Sequence, residues 1–355
     1  MTPHTYYMNA AVLTETGHIQ HRRIPRPQPR SDELLVRVEA SGICGSDLAA
    51  FRGTHPYKSA PAVLGHEFSG TIIDSGTAVT RFSHGDLVCS AAFAHCGRCG
   101  DCADGATNLC RNKLNLSHLD WTGSFAEYVM LRESMTYRLP EGLDPAAGAL
   151  VEPLSIGRHA IALAQNRGSV AILGSGTIGL ACSIAARQHD LGPVACVDLG
   201  SDKGSLATAA GAHHYIDASR SDPVAAVTAA LAGAADVVVI ASGYRGVFEH
   251  AAHIVRPGGE VIVVSYFAGA TPVEVNAFVG KEATIRCSAL STAADFRAVI
   301  GWLEQGMDPT ALITHRFALD EADRAFSLMH DDATQTGKIM LHIATGNPQS
   351  DGTKQ

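Results

Sequence analysis

Residues 170–179 read V-A-I-L-G-S-G-T-I-G, and residues 194–198 read V-A-C-V-D. An apolar run ends on Gly174, Ser175, Gly176, Thr177, Ile178 and Gly179, then passes into an Ala-rich stretch reaching about Gln188. Strand, glycine-rich turn and helix in that order form the phosphate-binding unit of a parallel sheet. The glycines permit a tight turn and close approach of a pyrophosphate, whose charge the helix N-terminus stabilises. Asp198 closes the second strand, 19 residues beyond Gly179. A carboxylate there accepts both hydroxyls of a ribose and repels a 2′-phosphate, so NAD is expected rather than NADP. Lys203 is placed to stand beside the same ribose and soften that preference.

Outward from this unit, Val- and Ile-rich runs recur at Val170–Leu173, Val194–Val197, His214–Ile216, Val237–Ile240, Val261–Val264 and Thr284–Arg286. Their starts lie 20–24 residues apart, with Ala-rich helical stretches between. That rhythm predicts a doubly wound parallel sheet covered on both faces. Ser242, Val264 and Ser265 follow later strands at the carboxyl edge, where the nicotinamide half of a dinucleotide is expected. Residues 8–150 differ in character. Short strands such as Leu34–Glu39, Ser69–Ile73, Leu87–Ser90 and Phe125–Met130 alternate with Gly-rich turns and predict a β-rich domain. After residue 290 come helix-like Ala294–Gln305 and Glu321–Met329, then a strand Gly337–Ile343, a tail expected to return to the first domain. Residues 346–355 are polar and expected to fray.

Residues 96–110 place Cys96, Cys99, Cys102 and Cys110 at C-x2-C-x2-C-x7-C. Four thiolates at such spacing close around one tetrahedral Zn²⁺ and leave no position for substrate, so this is expected to be a structural site. Chemistry must lie elsewhere. Gly42-Ile-Cys44-Gly-Ser46-Asp47 carries a thiol and a hydroxyl two residues apart; Gly65-His66-Glu67 follows, and Val151-Glu152-Pro153 precedes the change of domain. One Cys, one His and one or two Glu suit a zinc site with an open position. Singly, each has an ordinary explanation: Cys44 as a core thiol, His66 as a turn histidine, Glu152 as a helix N-terminal acid.

These motifs together resemble the zinc-dependent medium-chain alcohol and polyol dehydrogenases, over about Ala10 to His342. The stretches G-I-C-G-S-D (42–47), G-H-E-F-S-G (65–70), G-D-L-V (85–88), G-S-F-A-E-Y (123–128), L-V-E-P-L-S (150–155), G-S-G-T-I-G (174–179) and R-P-G-G (256–259) carry the likeness, with the four-cysteine lobe. Glu152 stands where ethanol-type members carry a Cys ligand, which points to the sorbitol, butanediol and threonine dehydrogenase branch. The resemblance implies an α/β chain. A GroES-like β-rich catalytic domain would take residues 1–153 and 292–355, with the lobe at about 93–113, and a Rossmann NAD-binding domain residues 154–291. It implies two zinc ions per chain, one structural and one catalytic. The catalytic ion would be held by Cys44, His66 and Glu67 or Glu152, the two carboxylates trading places. Ser46 would take the alcohol proton and Asp47 would buttress a ligand.

Two departures matter. The relay histidine common in the family is replaced by Leu48-Ala49-Ala50, leaving His55 and Tyr57 as candidates for the proton route. The Phe-Arg-Tyr run of sorbitol-type members reads Cys287-Ser-Ala-Leu290 here, which argues against sorbitol itself. Trp121 is either a wall of the cleft or a core residue. The expected function is oxidation of a secondary alcohol on a polyol, cyclitol or sugar-like molecule with NAD, or the reverse. A biosynthetic NAD(P)H-dependent ketone reductase and a non-catalytic NAD- and zinc-binding interaction protein are the alternatives.

The 355 residues suffice for two domains, and 46% hydrophobic content suffices for a sizeable core. Net charge is −8, which disfavours nucleic acid as a partner. No apolar run reaches membrane-spanning length and no export signal is read, so a cytoplasmic address with reduced thiols is expected. Cys89, Cys182, Cys196 and Cys287 are expected in the core. The expected partners are a small-molecule alcohol or ketone and further copies of the chain, as a homodimer or homotetramer.

Overall fold

The structure is a computed structural model that describes residues 6–331 and 336–343. Backbone contacts divide these residues into two units, one formed by 6–152, 300–331 and 338–343, the other by 153–299 and 336–337. The second seam falls after Val299, within the helix Ala293–Glu304, later in the chain than the 291/292 boundary read from sequence.

The first unit is built on the strand Glu33–Gly42, whose residues are buried along nearly its whole length. Such a strand needs partners on both edges. One edge pairs antiparallel with Glu67–Ser75, from Leu34 opposite Ser75 to Gly42 opposite Glu67. The other edge is shared. Glu33–Arg37 pairs with the strand Tyr128–Arg132, and Ala40–Gly42 pairs with Lys338–His342. The chain's tail therefore completes the sheet begun near its start. Ile313–Ala318 adds a parallel edge strand beside Lys338–His342. Its weak alternation, with Phe317 its one buried side chain, explains why sequence reading passed over it. A separate three-stranded sheet joins His18–Pro25, Tyr7–Glu15 and Ala62–Val63.

The second unit holds a six-stranded parallel sheet in the order His214–Asp217, Val194–Asp198, Val170–Leu173, Ala235–Ile240, Val255–Val263, Thr284–Cys287. In chain order that is 3-2-1-4-5-6, the doubly wound arrangement, with its switch point between Val170–Leu173 and Ala235–Ile240. Alternate residues of the central strands (Ala171, Leu173, Val238, Ile240, Val261) fill one core cluster with Val227, Val247 and Ala251 from the helices. Cys89, Cys182 and Cys196 are buried, but Cys287 is exposed: its strand lies at the sheet edge, where one face is uncovered.

Within this unit Asp295 ties two helices together. The backbone N–H and hydroxyl of Thr292 each donate to Asp295 Oδ2 at 2.7 Å. His159 Nδ1 lies 2.9 Å from the same oxygen, and Arg158 pairs with Oδ1. Burial would raise this carboxyl. The hydrogen bonds from His159, Thr292 and Arg158 overturn that and hold it well below the usual range. A carboxylate depressed in the folded state stabilises above its unfolded value of about 3.9, and the gain is lost as pH falls through the lower folded value. Asp295→Asn is expected to cost about 3 kcal/mol at pH 7 in urea unfolding and to flatten the loss of stability below about pH 4. An unchanged midpoint would contradict the tie.

Candidate metal and nucleotide sites

In the β-rich unit, strand register assembles the first site. Glu67 opens the strand that pairs with Gly42, His66 immediately precedes it, and Cys44 lies two residues beyond Gly42. One ligand atom from each of Cys44, His66 and Glu67 falls within 4.8 Å of the others. A thiolate, an imidazole and a carboxylate this close form a donor set that Zn²⁺ accepts with a fourth position left over. Glu67 is oriented by a cation from the far end of the chain. Lys338 Nζ donates to Glu67 Oε2 and, at 2.9 Å, to the Ile43 carbonyl. The pair runs across Gly42, where a Cβ would come within 2.8 Å of Glu67 Oε2 and 3.1 Å of Lys338 Cδ. Gly42 is therefore the gap through which the carboxylate is held.

Asp47 stands behind His66. It is fully buried in the helix Gly45–Phe51, with Oδ2 accepting from the Cys44 N–H at 3.2 Å. That bond fixes the helix start, and with it the Cys44 backbone. Asp47 Oδ1 accepts from the Gly65 N–H at 3.4 Å and lies 3.5 Å from both His66 Nδ1 and Lys58 Nζ. Burial opposes ionisation of Asp47, but His66 and Lys58 hold its carboxyl well below the ordinary range. Asp47 in turn overcomes burial and raises His66. Nδ1 makes no well-aligned hydrogen bond and faces Asp47, which leaves Nε2 for a metal.

Glu152, in the first turn of the helix Val151–Ala162, is buried but stands outside the close group of three. Burial pushes its carboxyl up to about 7, with Glu67 adding to the rise and His66 and Lys338 opposing it. Ser46 is half-buried in the first turn of its helix. His55 and Tyr57 pack edge to face at 4.5 Å, and Tyr57 continues to His118 at 5.0 Å. Trp121 donates its indole N–H to the Met130 carbonyl at 2.8 Å, which anchors it to the strand Tyr128–Arg132.

The four-cysteine lobe closes in the same unit. Ligand atoms of Cys96, Cys99, Cys102 and Cys110 all lie within 4.8 Å of one another, and all four cysteines are free thiols. Hydrogen bonds from the backbone of Arg98 and Cys99 bring the Cys96 thiol down to about 6, while burial and the neighbouring sulfurs push Cys102 up to about 12. Four sulfurs so placed ionise together only around a cation, the condition a closed zinc site satisfies.

In the parallel-sheet unit, Gly174 to Gly179 link the strand Val170–Leu173 to the helix Thr177–Gln188, with Gly176 at the N-cap and Thr177 and Ile178 in the first turn. A Cβ on Gly179 would meet the Gly174 carbonyl oxygen at 1.8 Å, whereas one on Gly176 would meet nothing within 4 Å. The loop is thus packed on its inner side and open at Gly176, the shape a pyrophosphate cradle needs. Asp198 accepts from the backbone N–H of Ser175 and Leu199, each at 2.7 Å, and pairs with Lys203 Nζ at 3.2 Å. Ser242 lies against Gly174, and the Val264 and Ser265 N–H groups both donate to the Ile240 carbonyl, so these loops meet at the carboxyl edge. Tyr244, absent from the sequence reading, hydrogen-bonds His250 at 2.8 Å, and burial together with the Asp198 charge pushes its hydroxyl up to about 12. Lys58 and Lys338 were also missed: isolated lysines carry no spacing signal.

Comparison with known proteins places the chain among zinc-dependent dehydrogenases. Residues 30–141 match the family model described as alcohol dehydrogenase GroES-like domain, and residues 177–305 match that described as zinc-binding dehydrogenase. A sorbitol dehydrogenase of Halalkalibacterium halodurans is 34% identical over 330 residues, spanning 90% of this chain and 95% of the relative. A zinc-binding dehydrogenase from Sinorhizobium meliloti 1021, solved bound to NADP, superposes with a TM-score of 0.87 at 30% identity, covering 95% and 99% of the two chains. The 2R,3R-butanediol dehydrogenase of Bacillus subtilis superposes with a TM-score of 0.85 at 27% identity, covering 94% and 99%.

Proposed function

The chain belongs to the zinc-dependent medium-chain alcohol dehydrogenases, and from that premise we propose that it interconverts a secondary alcohol and a ketone on a polyol, cyclitol or sugar-like substrate, with NAD as hydride carrier. The observation that carries this reading is the close group of Cys44, His66 and Glu67, with Glu152 buried beside it. The likeness to sorbitol and butanediol dehydrogenases supports a substrate with hydroxyls on neighbouring carbons. Cys287 to Leu290, without an Arg-Tyr pair, argues against sorbitol itself.

Bound zinc supplies Lewis acidity to the substrate hydroxyl, and the nicotinamide supplies the hydride acceptor. Cys44 and His66 would hold the ion, and Lys338 holds Glu67 in place beside them. Burial raises the Glu152 carboxyl to about 7, and a divalent cation bound nearby would favour its carboxylate form, so that Glu152 would be available as a further acidic ligand. Ser46 would accept the alcohol proton in a hydrogen bond while its own hydroxyl proton passes on to water, no relay histidine following it in Leu48-Ala49-Ala50. Cys96, Cys99, Cys102 and Cys110 hold a second, structural zinc ion.

Asp198 supports NAD over NADP, because a carboxylate at the end of the second strand would repel a 2′-phosphate, and Lys203, 3.2 Å away, would offset only part of that charge. The chain is further read as a dimer. The edge strand Thr284–Cys287 exposes Ile285, and the preceding helix Val275–Val279 exposes Val275 and Val279. An unpaired edge flanked by exposed apolar side chains suits pairing with a second copy.

A screen of secondary alcohols, polyols and aminocyclitols with NAD is expected to find turnover that Cys44→Ser abolishes while NAD binding, followed by fluorescence, persists. Full activity in Cys44→Ser would refute the zinc reading. Asp198→Ala is expected to lower the NAD-to-NADP ratio of kcat/KM roughly tenfold or more, the worth of about one charge-assisted hydrogen bond. A wild-type preference for NADP would contradict the role of Asp198. Ile285→Glu is expected to convert a dimer to a monomer in sedimentation velocity; an unaltered sedimentation coefficient would exclude this edge as the interface.

A further inference from the structure

Asp47 is a fully buried carboxylate whose ion pairs, among the described residues, are with His66 and Lys58. The two cations share one oxygen, each lying 3.5 Å from Oδ1. They are not equivalent once a metal binds. A histidine that ligates through Nε2 is a neutral imidazole, with its remaining proton on Nδ1 turned towards Asp47. His66 then ceases to be a counter-ion, and a buried carboxylate without one is strongly disfavoured. Lys58 is the cation that remains. Its side chain is 5% exposed, and the loop that carries it is held locally, with the Lys58 N–H donating to His55 Nδ1 at 3.1 Å.

We propose that Lys58 is a positioning residue that neutralises Asp47 in the metal-loaded enzyme, keeping His66 a weak donor and the zinc ion a strong Lewis acid. The proposal rests on the zinc reading of Cys44, His66 and Glu67. A carboxylate with no cation beside it polarises the imidazole it faces towards imidazolate. The ring then becomes a stronger ligand, which holds zinc more tightly but leaves it less electrophilic. Removing Lys58 should therefore tighten metal binding and weaken catalysis together. A merely structural lysine would, when removed, loosen both.

The test titrates purified holoenzyme with a chromophoric zinc chelator and takes the release step that is missing in Cys44→Ser as the Cys44–His66 ion. Lys58→Met is expected to hold that ion at least about fivefold more tightly and to move the pH midpoint of kcat upwards by about one unit. Lys58→Arg is expected to restore both values. In an Asp47→Asn background, Lys58→Met is expected to leave zinc release unchanged, because the carboxylate through which Lys58 acts is gone. Lys58→Gln serves as a second charge-removing variant should the Met variant fail to fold. Zinc held no more tightly in the charge-removed variants, or an unmoved midpoint, would overturn the role of Lys58 alone. A wild-type enzyme with no Cys44-dependent release step would overturn the underlying zinc reading as well.

Discussion

The pairing of Gly42 with Glu67 on one side and with Met340 on the other is the constraint on which the metal site depends. It joins three stretches of chain at one point of one sheet. Cys44 follows the first strand, His66 and Glu67 open the second, and Lys338 opens the third. A slip of one residue in either ladder would turn Glu67 or Lys338 to the opposite face and dissolve the group. The absence of a side chain at Gly42 lets the two charged groups meet across the strand.

Charge balance follows from that convergence. Asp47, Glu67 and Glu152 are buried around the same pair of ligands, Cys44 and His66, a density of acid that alone would not stay ionised. Two buried lysines answer it from opposite directions in sequence. Lys338 faces Glu67, and Lys58 faces Asp47, the carboxylate that stands behind the histidine. A zinc ion bound there would enter a site whose negative charge is already partly matched, the condition for an ion that binds firmly and still polarises a substrate.

Much of this was legible before the structure. The glycine loop, Asp198 and the four cysteines are local in sequence, and their spacing states their geometry. The parallel sheet was legible because its buried strands recur as Val- and Ile-rich runs. The parts that were not legible are non-local or weakly patterned. Lys338 meets Glu67 across 271 residues, and no pattern around either residue announces it. Lys58 is one of six lysines in the chain, and nothing around it in sequence marks it out until the fold buries it. The strand Ile313–Ala318 has little alternation because it lies at a sheet edge. Cys287 follows the apolar Ile285 by two residues, yet it sits on an edge strand, where burial is not assured.

Two different donor sets in the β-rich unit suit two metal ions, one closed by four sulfurs and one left open by Cys44, His66 and Glu67. Anomalous diffraction above and below the zinc absorption edge, from crystals of the protein as purified, tests this most directly. The account requires two peaks per chain, one equidistant from the sulfurs of Cys96, Cys99, Cys102 and Cys110, the other at Cys44 Sγ and His66 Nε2. A single peak confined to the four-cysteine lobe would contradict it.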